Sequence, residues 1–229
     1  MQVNQKNKTA ILVFANSSLK ELQYKAIPKS EKLFDALTER TIDIVKKTGL
    51  AYFHFSEKEQ IGHTFGERFT NAIQCVFNKG FDRVITIGND TPQLTVAHIV
   101  NAAKQINAEK FVLGPATDGG FYLMGMHTSH FKPAAFKKLA WKTALISKQL
   151  LGLITSDVVQ LYRLKTLWDI DTVEDIKAIL AYGYQIPEKI LKVLLTIGRR
   201  KTYDIAYKFT IPQKIHHSVF YNKGSPIAL

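Results

Sequence analysis

Four aspartates in three short segments carry the residue types needed for metal-assisted phosphate chemistry. They are Asp90 in GNDTPQL, Asp118 in PATDGGF, and Asp169 with Asp171 in WDIDTVED. Asp90 follows the apolar run RVITIG and precedes Thr91-Pro92. A carboxylate at such an edge can hold a divalent cation, because Mg²⁺ takes one or two carboxylates and completes its shell with phosphate oxygens. It can equally be a loop carboxylate that satisfies turn amides. Asp118 stands in Ala116-Thr117-Asp118-Gly119-Gly120, between two apolar runs. Asp-Gly is a strong hairpin signal. Glycine is also what remains where a ligand approaches backbone closely, so turn and site both stay open. Asp169 and Asp171 alternate on an extended segment and so share a face. Asp171 or Thr172 then caps a helix with Glu174 and Asp175 in its first turn, and capping alone accounts for the segment.

Positioning these residues requires a framework, and the apolar pattern supplies one. TAILVFA (9–15), AYFHF (51–55) and RVITIG (83–88) read as short buried strands. Between them, Leu33, Leu37, Ile44 and Val45 mark one helix over 29–49, and Phe65, Phe69, Ala72, Ile73, Val76 and Phe77 mark another over 62–80. Thr95 caps a further helix carrying Val96, Ile99, Val100, Ala103 and Ile106. Alternating strands and helices with short connections predict a parallel sheet covered by helices. KFVLGPA and FYLMGM break that rhythm, since so short a connection permits only antiparallel pairing. Helices at 133–139 and 144–154, a strand at 158–164 and helices at 172–183 and 190–198 complete the reading.

The chain has 229 residues, of which 46% are hydrophobic and 22% charged, a globular balance. No apolar run approaches the roughly 18 residues that suggest a membrane span, and no secretory signal is expected. Cys75 is the only cysteine, so a cytoplasmic location is expected and Cys75 itself reads as structural. The net charge of +12 favours phosphate-bearing partners. Residues 187–229 hold eight Lys/Arg against two acids, which reads as a solvated basic tail. His127, His130 and the pair His216-His217 lack partners at zinc-site spacing. Met124 and Met126 share a strand face and read as packing. Glu67 and Arg68 read as a cap or surface pair at a helix start.

GNDTPQLT, LGPATDGGFYLMGM and WDIDTVEDI, in that order, resemble the signature of a bacterial family with a glycosyltransferase-A-like fold. The family is related to the guanylyltransferase of deazaflavin-cofactor biosynthesis, within the nucleotide-diphospho-sugar transferase superfamily. FGERF (65–69) and Trp141-Lys142-Thr143 also resemble family positions, and the likeness runs from about residue 8 to 182. It implies an α/β, Rossmann-like, mostly parallel sheet with helices on both faces and an antiparallel hairpin or edge strand. It implies a nucleotide or nucleotide-sugar over the sheet, with Mg²⁺ or Mn²⁺ and no covalently bound cofactor. Asp90 and Asp118 match its catalytic acids, and Asp90, Asp118 and Asp171 its metal site. Gly119 and Gly120 would permit close packing beside the ligand. Asn89, beside Asp90, and Lys29 are further expected ligand-binding residues, Lys29 being one of the lysines Lys20, Lys25, Lys29 and Lys32 that offer positive charge after strand one. The likeness breaks after strand one. Relatives carry a Gly-rich loop with a Lys-Thr-Arg-Leu run, whereas ANSSLKELQYKAIPKSEKL holds neither glycine nor arginine. Asn89 also stands where a serine is usual.

The expectation is therefore a domain over 1–185 and a basic extension over 186–229. The expected activity is nucleotidyl or glycosyl transfer from a nucleotide or nucleotide-sugar to a small acceptor. The alternative is a catalytically degenerate binding protein of the same fold. A second copy of the chain, as a homodimer, is the expected macromolecular partner. Nucleic-acid binding through the tail ranks third, because no recognised motif is present.

Overall fold

The computed structural model describes residues 8–25, 27, 30–154, 159–182 and 186–199. Lys29 and the tail from residue 200 lie outside them, and with them the expectations placed on Lys29, on His216-His217 and on tail-mediated partners.

Six strands form one sheet: β1 (Thr9–Phe14), β2 (Ala51–Phe55), β3 (Arg83–Ile87), β4 (Lys110–Pro115), β5 (Phe121–His127) and β6 (Gln160–Arg163). Their order is β2-β1-β3-β5-β4-β6. β1 pairs parallel with β2 and β3, and β4 parallel with β6. β5 runs antiparallel to both neighbours, β3 and β4. The predicted hairpin is thus β4–β5, and its antiparallel strand lies inside the sheet, not at an edge.

Helices cover both faces because the strand residues alternate. Ile11 and Val13 of β1 join Ile85, Ile87, Val112 and Leu123 on one face, beneath Ile99 and Ala102 of α4 (Val96–Gln105). Ala10 and Leu12 face the other way with Val84, Met124 and Met126. There they meet Phe69, Ile73 and Val76 of α3 (Phe65–Asn78) and Leu150 of α6 (Ile146–Ile154). A four-residue α1 (Ser18–Glu21) and an equally short α5 (Pro133–Phe136) lie in the connections.

α2 (Glu31–Lys47) serves two cores. Ile44 and Val45 pack on the sheet, while Leu33, Phe34 and Leu37 meet α7 (Val173–Ala181) and α8 (Glu188–Arg199) through Ile176, Ile179, Ile190 and Leu194. The apolar helix near 190 is therefore packed against α2 and α7. Among the described residues, no helix is long and apolar enough to cross a membrane.

Five strands point their carboxyl ends to one edge, where β5 begins. The connections at 15–25, 56–64, 88–95, 116–120 and 164–172 meet there. Ligands in such sheets bind at that edge.

Candidate active site

Each acidic segment is anchored by its own backbone. After β6 the chain stays beside β4: Leu164 N–H donates to Leu113 O at 2.8 Å, Leu167 N–H to Pro115 O at 3.1 Å, and Thr117 N–H to Leu167 O at 3.1 Å. This brings 168–171 next to the hairpin turn. Ile170 N–H donates to Asp90 O at 3.0 Å, and Trp168 N–H to Gln93 Oε1 at 2.9 Å, so the third segment is pinned to the first. Ile170 is fully buried in the α2–α7–α8 core, so Asp169 and Asp171 face the opposite way, into the cleft. Thr172, not Asp171, caps α7, with a reciprocal bond from Asp175.

The hairpin turn forms as its sequence allows. Asp118 Oδ1 accepts from Gly120 N–H at 2.7 Å, and Gly119 has φ +92°. A side chain at Gly119 would also meet Ala144 at 3.1 Å. Ser147 Oγ holds the carbonyls of Gly119 and Gly120 at 2.8 and 3.0 Å. The turn thereby presents Asp118 to the same cleft as Asp169 and Asp171.

The cleft encloses about 880 Å³. One wall is acidic. Carboxylate oxygens of Asp118, Asp169 and Asp171 all lie within 4.8 Å of one another, the one such group among the described residues. Burial, then the charges of Asp90, Asp118 and Asp171, pushes the Asp169 carboxyl up to about 7. Thr91 also lines the cleft, is 4% exposed, and its hydroxyl has no hydrogen-bond partner.

Asp90 is placed differently. Its Oδ2 accepts from Lys25 Nζ at 2.7 Å, and Lys25 also reaches Asp171 Oδ1 at 2.8 Å and Ile170 O at 2.9 Å. Glu21 lies 3.8 Å away. Burial opposes the ammonium charge, but Asp90, Asp171 and Glu21 outweigh it and hold the Lys25 pKa above its usual value. Asn89, expected at the ligand, lines the cleft but donates its side-chain amide to Thr38 Oγ1 at 2.7 Å, tying the loop to α2.

An aromatic cluster lines the same cleft: Phe14, Phe65, Phe69, Phe121 and Trp141 are linked by ring contacts. Glu67 closes the capping box of α3 with Thr64, as a cap. Lys142, with φ +61°, extends its ammonium to 4.8 Å from the Tyr24 ring centre. Arg68 and Lys20 also line the cleft. The first loop is held by a carboxylate: Glu57 accepts from Ser17 N–H at 2.7 Å and Ser17 Oγ at 2.6 Å.

Asp90, Asp118, Asp171, Asn89 and Gly120 line one cleft, whereas Gly119 is turned toward Ala144 and is not among its lining residues. Glu57 and Phe14 were not singled out in sequence, whereas Phe65, Phe69, Phe121 and Trp141 stood in segments that resemble family positions. Asp169 had a visible signal, its two-residue step to Asp171. Lys25 had none beyond being one of several lysines in an irregular segment.

The family resemblance is borne out by comparison. Residues 38–143 match the model of the DUF2064 family, described as an uncharacterized protein conserved in bacteria. No curated protein matches the chain. Among solved structures, a candidate nucleotide-diphospho-sugar transferase from Desulfovibrio desulfuricans G20 superposes with a TM-score of 0.69 at 19% identity, covering 82% of this chain and 97% of that one. A nucleotidyl transferase from Methanothermobacter thermautotroptrophicus gives 0.49 at 12% identity, over 77% and 97% of the two chains. A Mycobacterium sp. strain JC1 homolog of Rv0371c gives 0.45 at 14%, over 81% and 98%. The fold is that of the nucleotide-diphospho-sugar transferases.

Proposed function

We propose that this chain is a divalent-metal-dependent transferase that moves a nucleotidyl or glycosyl group from a nucleotide or nucleotide-sugar to a small acceptor. The observation that carries the reading is the acidic trio of Asp118, Asp169 and Asp171 at the carboxyl edge of the sheet, in a cleft also lined by aromatic rings. The trio suits a hard cation. It offers only oxygens and their spacing is compact, while burial and then the neighbouring carboxylates raise the Asp169 pKa, which a bound cation would reverse. Asp118, Asp169 and Asp171 would hold Mg²⁺ or Mn²⁺, which when bound supplies neutralisation of phosphate charge.

The chain's own residues do the rest. Lys142 and Arg68 bring cations to the same cleft, suited to phosphate oxygens. Trp141 and Phe65 offer ring faces on which a base or sugar can stack. Catalysis of this kind is mostly positioning and charge stabilisation, and no covalent intermediate is needed.

To test it, melting temperature is followed with Mn²⁺ or Mg²⁺ and a panel of nucleoside triphosphates and nucleotide-sugars. A ligand bound by the native state raises it. The reading predicts a shift that needs both metal and nucleotide and is lost in Asp118→Asn. No shift with any member, or an equal shift in the variant, contradicts it.

A second reading, a binding protein of this fold without turnover, is favoured by Glu57. Its carboxylate occupies the Ser17 N–H that a phosphate would otherwise take. Nucleotide binding without product formation across a panel of acceptors would select it.

A further inference from the structure

Lys25 sits where a cation belongs, and its own valence is spent. An ammonium has three N–H donors. Here three oxygens take them, from Asp90, Asp171 and Ile170, at 2.7, 2.8 and 2.9 Å. None remains for a phosphate oxygen. The side chain is 10% exposed, and Glu21 adds a third carboxylate at 3.8 Å. The oxygens converge on Nζ much as they would on a bound ion, and the ammonium joins the loop after α1 to segments 65 and 145 residues away.

We propose that Lys25 is a built-in cation that holds the Asp90 position in place of a metal, so that the centre takes one divalent ion, at Asp118, Asp169 and Asp171, and Asp90 is a positioning residue that never ligates it. The assignment deepens the transferase reading and rests on it for the meaning of the site, but it is tested by ion binding and not by turnover. It follows that the cleft is divided. At the Asp90 end two aspartates share one lysine, which leaves no net positive charge for a phosphate. At the Asp118 end an ion would sit by the Gly119 turn, on which the loop carrying Lys142 packs through Ala144. The phosphate chain is thus directed to the hairpin side of the cleft.

The experiment counts Mn²⁺ ions by electron paramagnetic resonance and titration calorimetry in the full chain, in Asp90→Asn, in Lys25→Ala and in the double variant. The native chain is expected to bind one ion. Asp90→Asn should change that affinity less than about threefold. Lys25→Ala should bind one additional ion, and the double variant should lose it. If Lys25→Ala does not fold, Lys25→Met, which keeps the buried stem, takes its place. A tenfold or greater loss of native Mn²⁺ affinity in Asp90→Asn overturns the proposal, as does a Lys25 variant with no additional ion. If the native chain binds no Mn²⁺ but the Lys25 variant binds one that depends on Asp90, the built-in cation stands and the metal-dependent transferase reading falls.

Discussion

Asp169 lies among Asp90, Asp118 and Asp171, half-buried, and its carboxyl is pushed up to about 7 from an ordinary value of 3.8. The sign of the consequence is fixed. Between those two values the native state keeps a proton that the unfolded chain has released, so stability of the metal-free protein declines as pH rises through that window. Calorimetry from pH 4 to 8 should show the decline, and Asp169→Asn should flatten it. An ion must displace the same proton, so Mn²⁺ affinity should weaken by up to about tenfold per unit below pH 7. Equal slopes in the two proteins would contradict this account of Asp169. Gly114 makes a second residue-scale case. A methyl group there would stand 2.5 Å from Tyr122 Cζ, and Tyr122 Oη donates to Lys165 O at 3.0 Å. Gly114→Ala should cost about 1–3 kcal/mol by overpacking. It should also weaken Mn²⁺ binding, since Tyr122 steadies the segment that leads to Asp169. At this scale the sequence was legible where chemistry is local. Asp118-Gly119 reads as a turn from two letters. Lys25 does not, because what distinguishes it is a set of acceptors 65 and 145 residues away.

Elements were legible where period and caps agree. The stripe of α3 and the Thr95 cap of α4 appear as read, with Thr64 and Thr95 each closing a capping box. Most boundaries that moved went inward by one to three residues, whereas α8 extends beyond 190–198 to Glu188–Arg199 and β5 one residue further to His127. The interior place of β5 was not legible. A hairpin pattern fixes pairing between β4 and β5 but says nothing of β3, which lies on the other side. WDIDTVEDI shows how one segment serves two ends. Thr172 and Asp175 cap α7, which frees Asp169 and Asp171 to face the cleft. Thr172→Ala should therefore cost about 1 kcal/mol, read as a drop of roughly 2–4 °C in melting temperature. Leu194→Ala in α8, where Leu194 is fully buried against α2 and α7, should cost about 2–5 kcal/mol. A surface-sized effect there would mean that α8 is not part of this core.

For the molecule as a whole, the sheet gathers three acidic segments, spread over some eighty residues of chain, at one edge. The order of strands does this, because β6 lies beside β4 and carries 168–171 back to the hairpin turn. The basic net charge and the acidic cleft are then complementary facts. A basic surface attracts phosphate-bearing molecules over a distance, and under the proposed function the cleft would take a metal before it accepts one. Mn²⁺ titration of the native chain against Asp118→Asn and Asp169→Asn, each repeated with saturating nucleotide, tests this most directly. The account predicts one ion in the native chain, a loss of at least tenfold in either variant, and tighter ion binding when nucleotide is present. Native-like Mn²⁺ affinity in both variants would contradict it.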